Sequence, residues 1–212
     1  MRAMPNQTER SRTIHLIRIL IGDVIAARER LALENTQTGR RDVVRASLAA
    51  IEGEVWLARE HVRETLRGFD SLSQLADLAL SEQTYTVGEN GKLLEQARSV
   101  PLPTAIRLVV AQAQIICPEL EVDFAGVGWS NFRRAVAIRN RITHPRPEND
   151  LNVSDEELSA VASGLVWLMA TIEYIMASTN LFLIEARTTY KKLLAGDANV
   201  LEEYYAALDR EI

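Results

Sequence analysis

The chain has 212 residues, of which 47% are hydrophobic and 25% charged, and its formal net charge is −5 at pH 7. This length suits one large domain or one domain with an extension, and the apolar fraction can supply a sizeable core. The negative charge excludes a general attraction to nucleic acid, so any binding to a polyanion must be local. Cys117 is the single cysteine, which excludes an internal disulfide, and its apolar neighbours predict a buried thiol.

The sequence predicts neither export nor a membrane segment. Residues 1–7 lack the apolar core of a secretory signal. The apolar runs at residues 19–21 and 165–170 fall short of the roughly 18 to 20 residues that span a bilayer. We therefore expect a cytoplasmic protein with no membrane association.

Helical periodicity runs through residues 11–34 and 42–69, and Gly53 in the second segment would allow a neighbouring helix to approach closely. Ser71 and Gln74 resemble a capping pair that opens a shorter helix. The β-rich residues that follow and an Asn-Gly turn predict a small hairpin near residues 84–95.

Pro101 and Pro103 mark the start of the next helix. Residues 126–128 resemble a loop, and Ser130 is the predicted cap of a helix that continues to Thr143. A capping box at residues 154–157 opens the last long helix, in which Asn180 is a candidate interruption, and a terminal helix is predicted over residues 200–208.

Short connections between helices favour antiparallel neighbours. We therefore predict an all-α, up-down helical bundle over residues 8–180. Residues 181–212 would form a C-terminal helical extension suited to dimerisation or to closing over a site.

Five arginines and a histidine lie within fourteen residues, in the helix predicted over residues 130–143 and just beyond its end. They are Arg133, Arg134, Arg139, Arg141, Arg146 and His144. Arginine suits phosphate because its planar guanidinium donates bidentate hydrogen bonds and stays charged. We predict that Arg134, Arg141 and Arg146 hold an RNA backbone; for Arg133 and Arg134 the alternative is a solvated helix face.

Arg139, Asn140 and His144 are the candidate catalytic residues. A histidine can take a proton from a ribose 2′-hydroxyl or give one to a leaving 5′-oxygen, while an arginine neutralises charge on the phosphoryl oxygens. Such residues can cleave RNA without a metal or cofactor and leave a 2′,3′-cyclic phosphate. In a continuous helix Arg139 and His144 would point about 140° apart. Either Pro145 turns the chain at His144, or two subunits combine these residues in one site.

The sequence of residues 132–145, FRRAVAIRNRITHP, resembles the signature of the HEPN domain (higher eukaryote and prokaryote nucleotide-binding). The matching positions are Arg139, the polar Asn140 and His144. The resemblance implies a bundle of four or five helices that forms a homodimer, with these residues from both subunits lining one cleft. Many members are metal-independent RNases of toxin–antitoxin, phage-defence or CRISPR systems, which implies an antitoxin or defence-complex partner. Other members bind only nucleotides or partners.

Non-catalytic interpretations of the same residues remain open. His144 could cap the C-terminus of its helix, where a cation is favoured, and Asn140 could bond to a backbone carbonyl. Glu52 or Glu54 could orient His144 or an arginine, although a solvated face is the simpler interpretation. The acidic net charge and the apolar faces of the long helices favour a helical dimer that binds a protein or nucleotide without cleavage.

Overall fold

A computed structural model of the protein describes residues 7–194, most of which are helical. The elements in chain order are α1 (Gln7–Leu33), α2 (Gln37–Gly68), α3 (Gln74–Leu80), β1 (Gln83–Val87), β2 (Leu93–Ala97), α4 (Leu102–Ala113), α5 (Val127–Thr143), a 3₁₀ turn (Glu148–Leu151) and α6 (Asp155–Leu194). The predicted all-α class is therefore confirmed.

The hairpin predicted near residues 84–95 is also confirmed. Strands β1 and β2 pair antiparallel, with Val87 opposite Leu93. Gly91 has a φ of 75° in the connecting turn, a conformation that glycine adopts without steric cost.

Two helix starts differ from the predicted ones. The N-cap of α3 is Ser73, whose hydroxyl accepts the N–H of Ala76 at 3.1 Å, so the predicted capping role of Ser71 is wrong. Helix α5 begins at Val127 rather than after Ser130, so the segment predicted to be a loop is largely helical. Gly128 lies in the first turn of α5, and a Cβ there would overlap the side chain of Trp167, so the position requires glycine. That glycine serves close helix packing rather than a turn.

Helix α6 runs unbroken through Asn180, the candidate interruption. One asparagine costs a helix less than about 1 kcal/mol, which the packing of a long helix easily exceeds. The capping box at its start is confirmed, since Ser154 N–H donates to the Glu157 carboxylate at 3.0 Å and Glu157 N–H donates to the Ser154 hydroxyl at 3.2 Å. Residues 181–194 continue α6, and the helix predicted over residues 200–208 lies outside the described residues. The domain division at residue 180 stays a prediction.

The core forms where α2, α5 and α6 pack together, with α1 and α4 against α2. Phe132 of α5 is fully buried, and a Cβ on Gly164 of α6 would lie 2.8 Å from its Cα. Gly53 of α2 similarly makes room for Leu20 of α1, as predicted. Cys117 is buried, as expected, and burial raises the pKa of its thiol. The Gly164–Phe132 approach sets the position of α5 relative to α6, and the Gly53–Leu20 approach sets that of α1 relative to α2.

The segment 155–189 of α6 is long and apolar enough to cross a membrane by length and composition. Leu165, Leu168 and Ile172 on this helix are nevertheless buried in the core against neighbouring helices. A core helix of a soluble protein has the same properties, and the fold is compatible with a soluble protein.

Candidate functional site

The C-terminal end of α5 is the part of the structure that carries the predicted catalytic residues. Ile138 and Ile142 are buried and hold this end of α5 on the core. The helix stops before Pro145, and the backbone N–H of His144 still donates to the carbonyl of Asn140 at 3.0 Å. His144 therefore occupies the C-cap position, as the capping interpretation expects.

Four residues of α5 and its cap form an exposed stripe along the helix. They follow one another at steps of four, three and four residues, which places them on one face. They are Arg133, Ala137, Asn140 and His144, and all four are exposed. Asn140 and His144 are therefore neighbours on the surface, one helical turn apart.

Arg139 lies on a different side of α5, next to α2. Its Nη2 forms an ion pair with the carboxylate of Glu52, and its Nη1 donates to Oδ1 of Asn140 at 3.2 Å. Asn140 accepts from Arg139 through Oδ1, and within residues 7–194 its amide N–H groups make no hydrogen bond to a backbone carbonyl. Glu52, Arg139 and Asn140 form a continuous chain of polar contacts at the protein surface.

Of the two acids considered as orienting residues, Glu52 and Glu54, it is Glu52 that contacts an arginine of α5. Its side chain is 48% exposed, so the ion pair is partly screened by solvent and contributes little stability. Glu54 lies on another side of α2, where burial, with a smaller effect from Glu173, raises the pKa of its carboxyl. The suggestion that one of these two acids orients an arginine therefore applies to Glu52.

The structure brings Arg139 and Asn140 together but does not join Arg139 to His144. Within residues 7–194, no hydrogen bond or ion pair links these two side chains, and the helix remains regular through Thr143. A turn at Pro145 thus makes no Arg139–His144 contact within one chain. The alternative, a composite of two subunits, stays a prediction.

The three arginines predicted to hold RNA have different surroundings. Arg141 donates from Nη1 to the carbonyls of Asp150 (3.0 Å) and Asn152 (2.9 Å), and from Nη2 to the carboxylate of Glu157 (2.7 Å). It therefore ties the 3₁₀ turn and the start of α6 to α5. Arg134 and Arg146 are exposed, and their guanidinium groups make no ion pair in the described part of the chain.

An open depression at the opposite end of α5 was not anticipated from the sequence. It has a volume of about 500 Å³ and is lined by Arg107, Phe124, Ala125, Gly126, Trp129, Ser130, Arg133 and Arg134. The guanidinium carbon of Arg107 lies 4.5 Å from the ring centroid of Phe124 and 5.1 Å from that of Trp129. Arg107 belongs to α4, and nothing local in the sequence indicates that α4 brings it beside the start of α5.

Metal-binding clusters of three or more His, Cys, Asp or Glu side chains are absent from residues 7–194. Comparison of the chain with models of protein families, with curated proteins and with solved structures finds no match.

Proposed function

We propose that the protein is a HEPN-like endoribonuclease of the cytoplasm that cleaves RNA by attack of a ribose 2′-hydroxyl, without a metal ion. The observation that supports it most is the grouping at the end of α5. An arginine and a carboxamide are held together there by a 3.2 Å hydrogen bond, and an exposed histidine follows one turn away. A cation, a hydrogen-bonding group and a proton carrier are the groups that this reaction requires.

Each candidate residue has a defined part in the proposed reaction. The 2′-oxygen attacks phosphorus as it loses its proton to the imidazole of His144, and the bond from phosphorus to the 5′-oxygen breaks. A protonated imidazole supplies the proton that the leaving 5′-oxygen takes up. Arg139 neutralises the charge that grows on the phosphoryl oxygens, and the Asn140 amide N–H groups donate to the scissile phosphate.

A homodimer would bring an arginine and a histidine to the same phosphate, which a single chain does not do. In a single chain Arg139 faces α2 while His144 lies on the exposed stripe, so the two do not flank one phosphate. A two-fold axis near the ends of α5 would place two copies of His144 close together, one as base and one as acid. The proposed site is therefore composite, and its activity would depend on dimer formation.

A second candidate is a non-catalytic helical dimer that binds a partner protein or a nucleotide. Two observations favour it: Glu52 already neutralises part of the charge of Arg139, and α6 exposes Val166, Leu181 and Ile184. Exposed apolar side chains on one long helix are typical of a protein contact, such as an antitoxin or another component of a defence complex.

The test is incubation of the purified protein with mixed single-stranded RNA in EDTA, with analysis of the product ends. We expect products with 2′,3′-cyclic phosphate and 5′-hydroxyl ends. His144→Ala should lower the rate by at least about 100-fold, since general acid–base catalysis contributes at least that factor. His15→Ala removes another exposed histidine, on α1, and should leave the rate unchanged.

Full activity in His144→Ala would refute the assignment of this residue. Absence of cleavage by the wild-type protein, together with binding that survives loss of His144, would favour the non-catalytic dimer. Salt dependence separates the two further, because phosphate contacts weaken steeply with salt and apolar contacts do not.

A further inference from the structure

The depression at the start of α5 concentrates positive charge in an acidic protein. Arg107, Arg133 and Arg134 line it, and no carboxylate is among its lining residues. Within residues 7–194 none of these three guanidinium groups forms an ion pair, whereas Arg139 and Arg141 on the same helix do. Asp123 lies next to Gly126 and accepts the backbone N–H groups of Ala125 and Gly126 through Oδ1, but its single negative charge is outweighed by the three guanidinium groups. The cavity is therefore suited to an anion.

The shape and the aromatic content narrow the class of anion. The cavity is open to solvent, which suits part of a long ligand better than an enclosed small molecule. Arg107 is held over Phe124 and Trp129, so its outer face can receive a nucleobase while Arg133 and Arg134 contact phosphate. Alternation of arginine and aromatic side chains in this way is typical of surfaces that bind single-stranded nucleic acid.

The depression is also connected to the proposed catalytic residues by the exposed stripe of α5. Arg133 belongs to both features, and seven residues separate it from Asn140, which is about 10 Å along a helix. A strand with one phosphate at Arg133 could therefore follow the stripe to Asn140 and His144. Ala137, between them, has a short side chain that leaves this path open.

We propose that this depression is a subsite for single-stranded RNA, which holds a backbone phosphate and a base away from the scissile bond. The inference rests on the proposed function in that RNA is taken as the substrate. Binding at the depression can be measured separately from cleavage, because none of the residues that line the depression takes part in the proposed chemistry.

The test measures the affinity of the protein for a fluorescent single-stranded RNA that is 2′-O-methylated throughout. This probe lacks the attacking hydroxyl, so binding is observed without cleavage. Arg133→Gln/Arg134→Gln should weaken binding by at least about tenfold, the factor that one charge-assisted hydrogen bond contributes. The slope of log K against log salt should fall by about 0.7 for each phosphate that the variant no longer neutralises.

A matched control separates a local site from net charge. Arg18 and Arg28 are exposed on α1, away from the depression, and Arg18→Gln/Arg28→Gln removes the same charge. We expect this control to bind within about twofold of the wild type, since only nonspecific attraction changes. Arg107→Gln, with its fold verified by circular dichroism, should weaken binding as well.

Several outcomes would overturn the inference. These are no binding by the wild type, equal losses in the two double variants, or no loss in Arg133→Gln/Arg134→Gln. Displacement of the probe by polyglutamate as efficiently as by unlabelled RNA would point instead to an acidic protein. Selective loss of binding in a protein that cuts no RNA would keep the subsite and refute the proposed cleavage.

Discussion

Gly164→Ala tests whether close packing of α6 on α5 sets the position of the helix that carries the candidate site. The added Cβ would lie 2.8 Å from Phe132 Cα and 2.9 Å from Phe132 N, both of them backbone atoms. No side-chain rotation can relieve that overlap. The helices must therefore separate by about 0.6 Å to reach the 3.4 Å at which ordinary contact begins.

The size of the effect follows from two opposing contributions. Alanine is preferred to glycine inside a helix by about 1 kcal/mol. Overpacking costs about 1 to 3 kcal/mol, and a gap of roughly 0.5 Å removes about a quarter of the attraction between atoms along the crossing. The difference between the two is a net loss of up to about 2 kcal/mol, which lowers the melting temperature by about 2 to 4 °C for each kcal/mol.

The assay is thermal unfolding by circular dichroism beside Gly22→Ala. Gly22 is in α1, and a Cβ there would have no neighbour within 4 Å. The same substitution should therefore stabilise the protein there by about 0.5 to 1 kcal/mol. If Gly164→Ala raised the melting temperature as Gly22→Ala does, the claim that α5 and α6 are in tight backbone contact would be refuted.

Glu82→Gln should lower the free energy of unfolding by about 1 to 2 kcal/mol at pH 7, because buried Arg59 loses a charged partner while glutamine can still accept a hydrogen bond. The hydrogen bond from Arg59 lowers the pKa of the Glu82 carboxyl in the folded protein, so its contribution is present above the unfolded pKa and is lost as pH falls through the folded value. Urea unfolding from pH 7 downward should show the difference between wild type and variant narrowing as pH falls below the ordinary glutamate pKa of about 4.3, and a difference that did not narrow would contradict this account. Arg141→Met should lower the free energy of unfolding by about 1 to 3 kcal/mol, because it removes three hydrogen bonds, including the one to Glu157. Binding of 2′-O-methylated RNA should fall less in this variant than in Arg133→Gln/Arg134→Gln. Unchanged stability together with strong loss of RNA affinity would instead assign Arg141 to the RNA backbone.

Much of the secondary structure was determined by the sequence itself, because the interactions that select it are local. The periodic apolar residues of α2 and α6 lie within a few residues of one another, and so do the partners of the Ser154–Glu157 capping box. The Asn90–Gly91 pair similarly indicated the hairpin turn without reference to the rest of the fold. The apolar surroundings of Cys117 indicated its burial in the same way.

The errors arose where a local signal had a tertiary cause. Gly128 resembles a loop residue in the sequence, yet it lies in α5, where the Trp167 side chain from α6 occupies the space that a Cβ would need. Asn180 was a candidate interruption of the last long helix, and α6 continues through it. Propensities below about 1 kcal/mol cannot decide such positions when a whole helix packs on the core.

The candidate site likewise combines residues that are close in sequence with contacts that depend on the fold. The sequence by itself identified Arg139, Asn140 and His144 as a group, since they are neighbours on one short segment. The folded chain was needed to show that Arg139 contacts Glu52, 87 residues away, and that Arg107 of α4 lies beside the start of α5. The physical reason is that these contacts depend on which helices pack together and how each is rotated about its axis. That rotation is set by the whole core, and no stretch of the sequence encodes it alone.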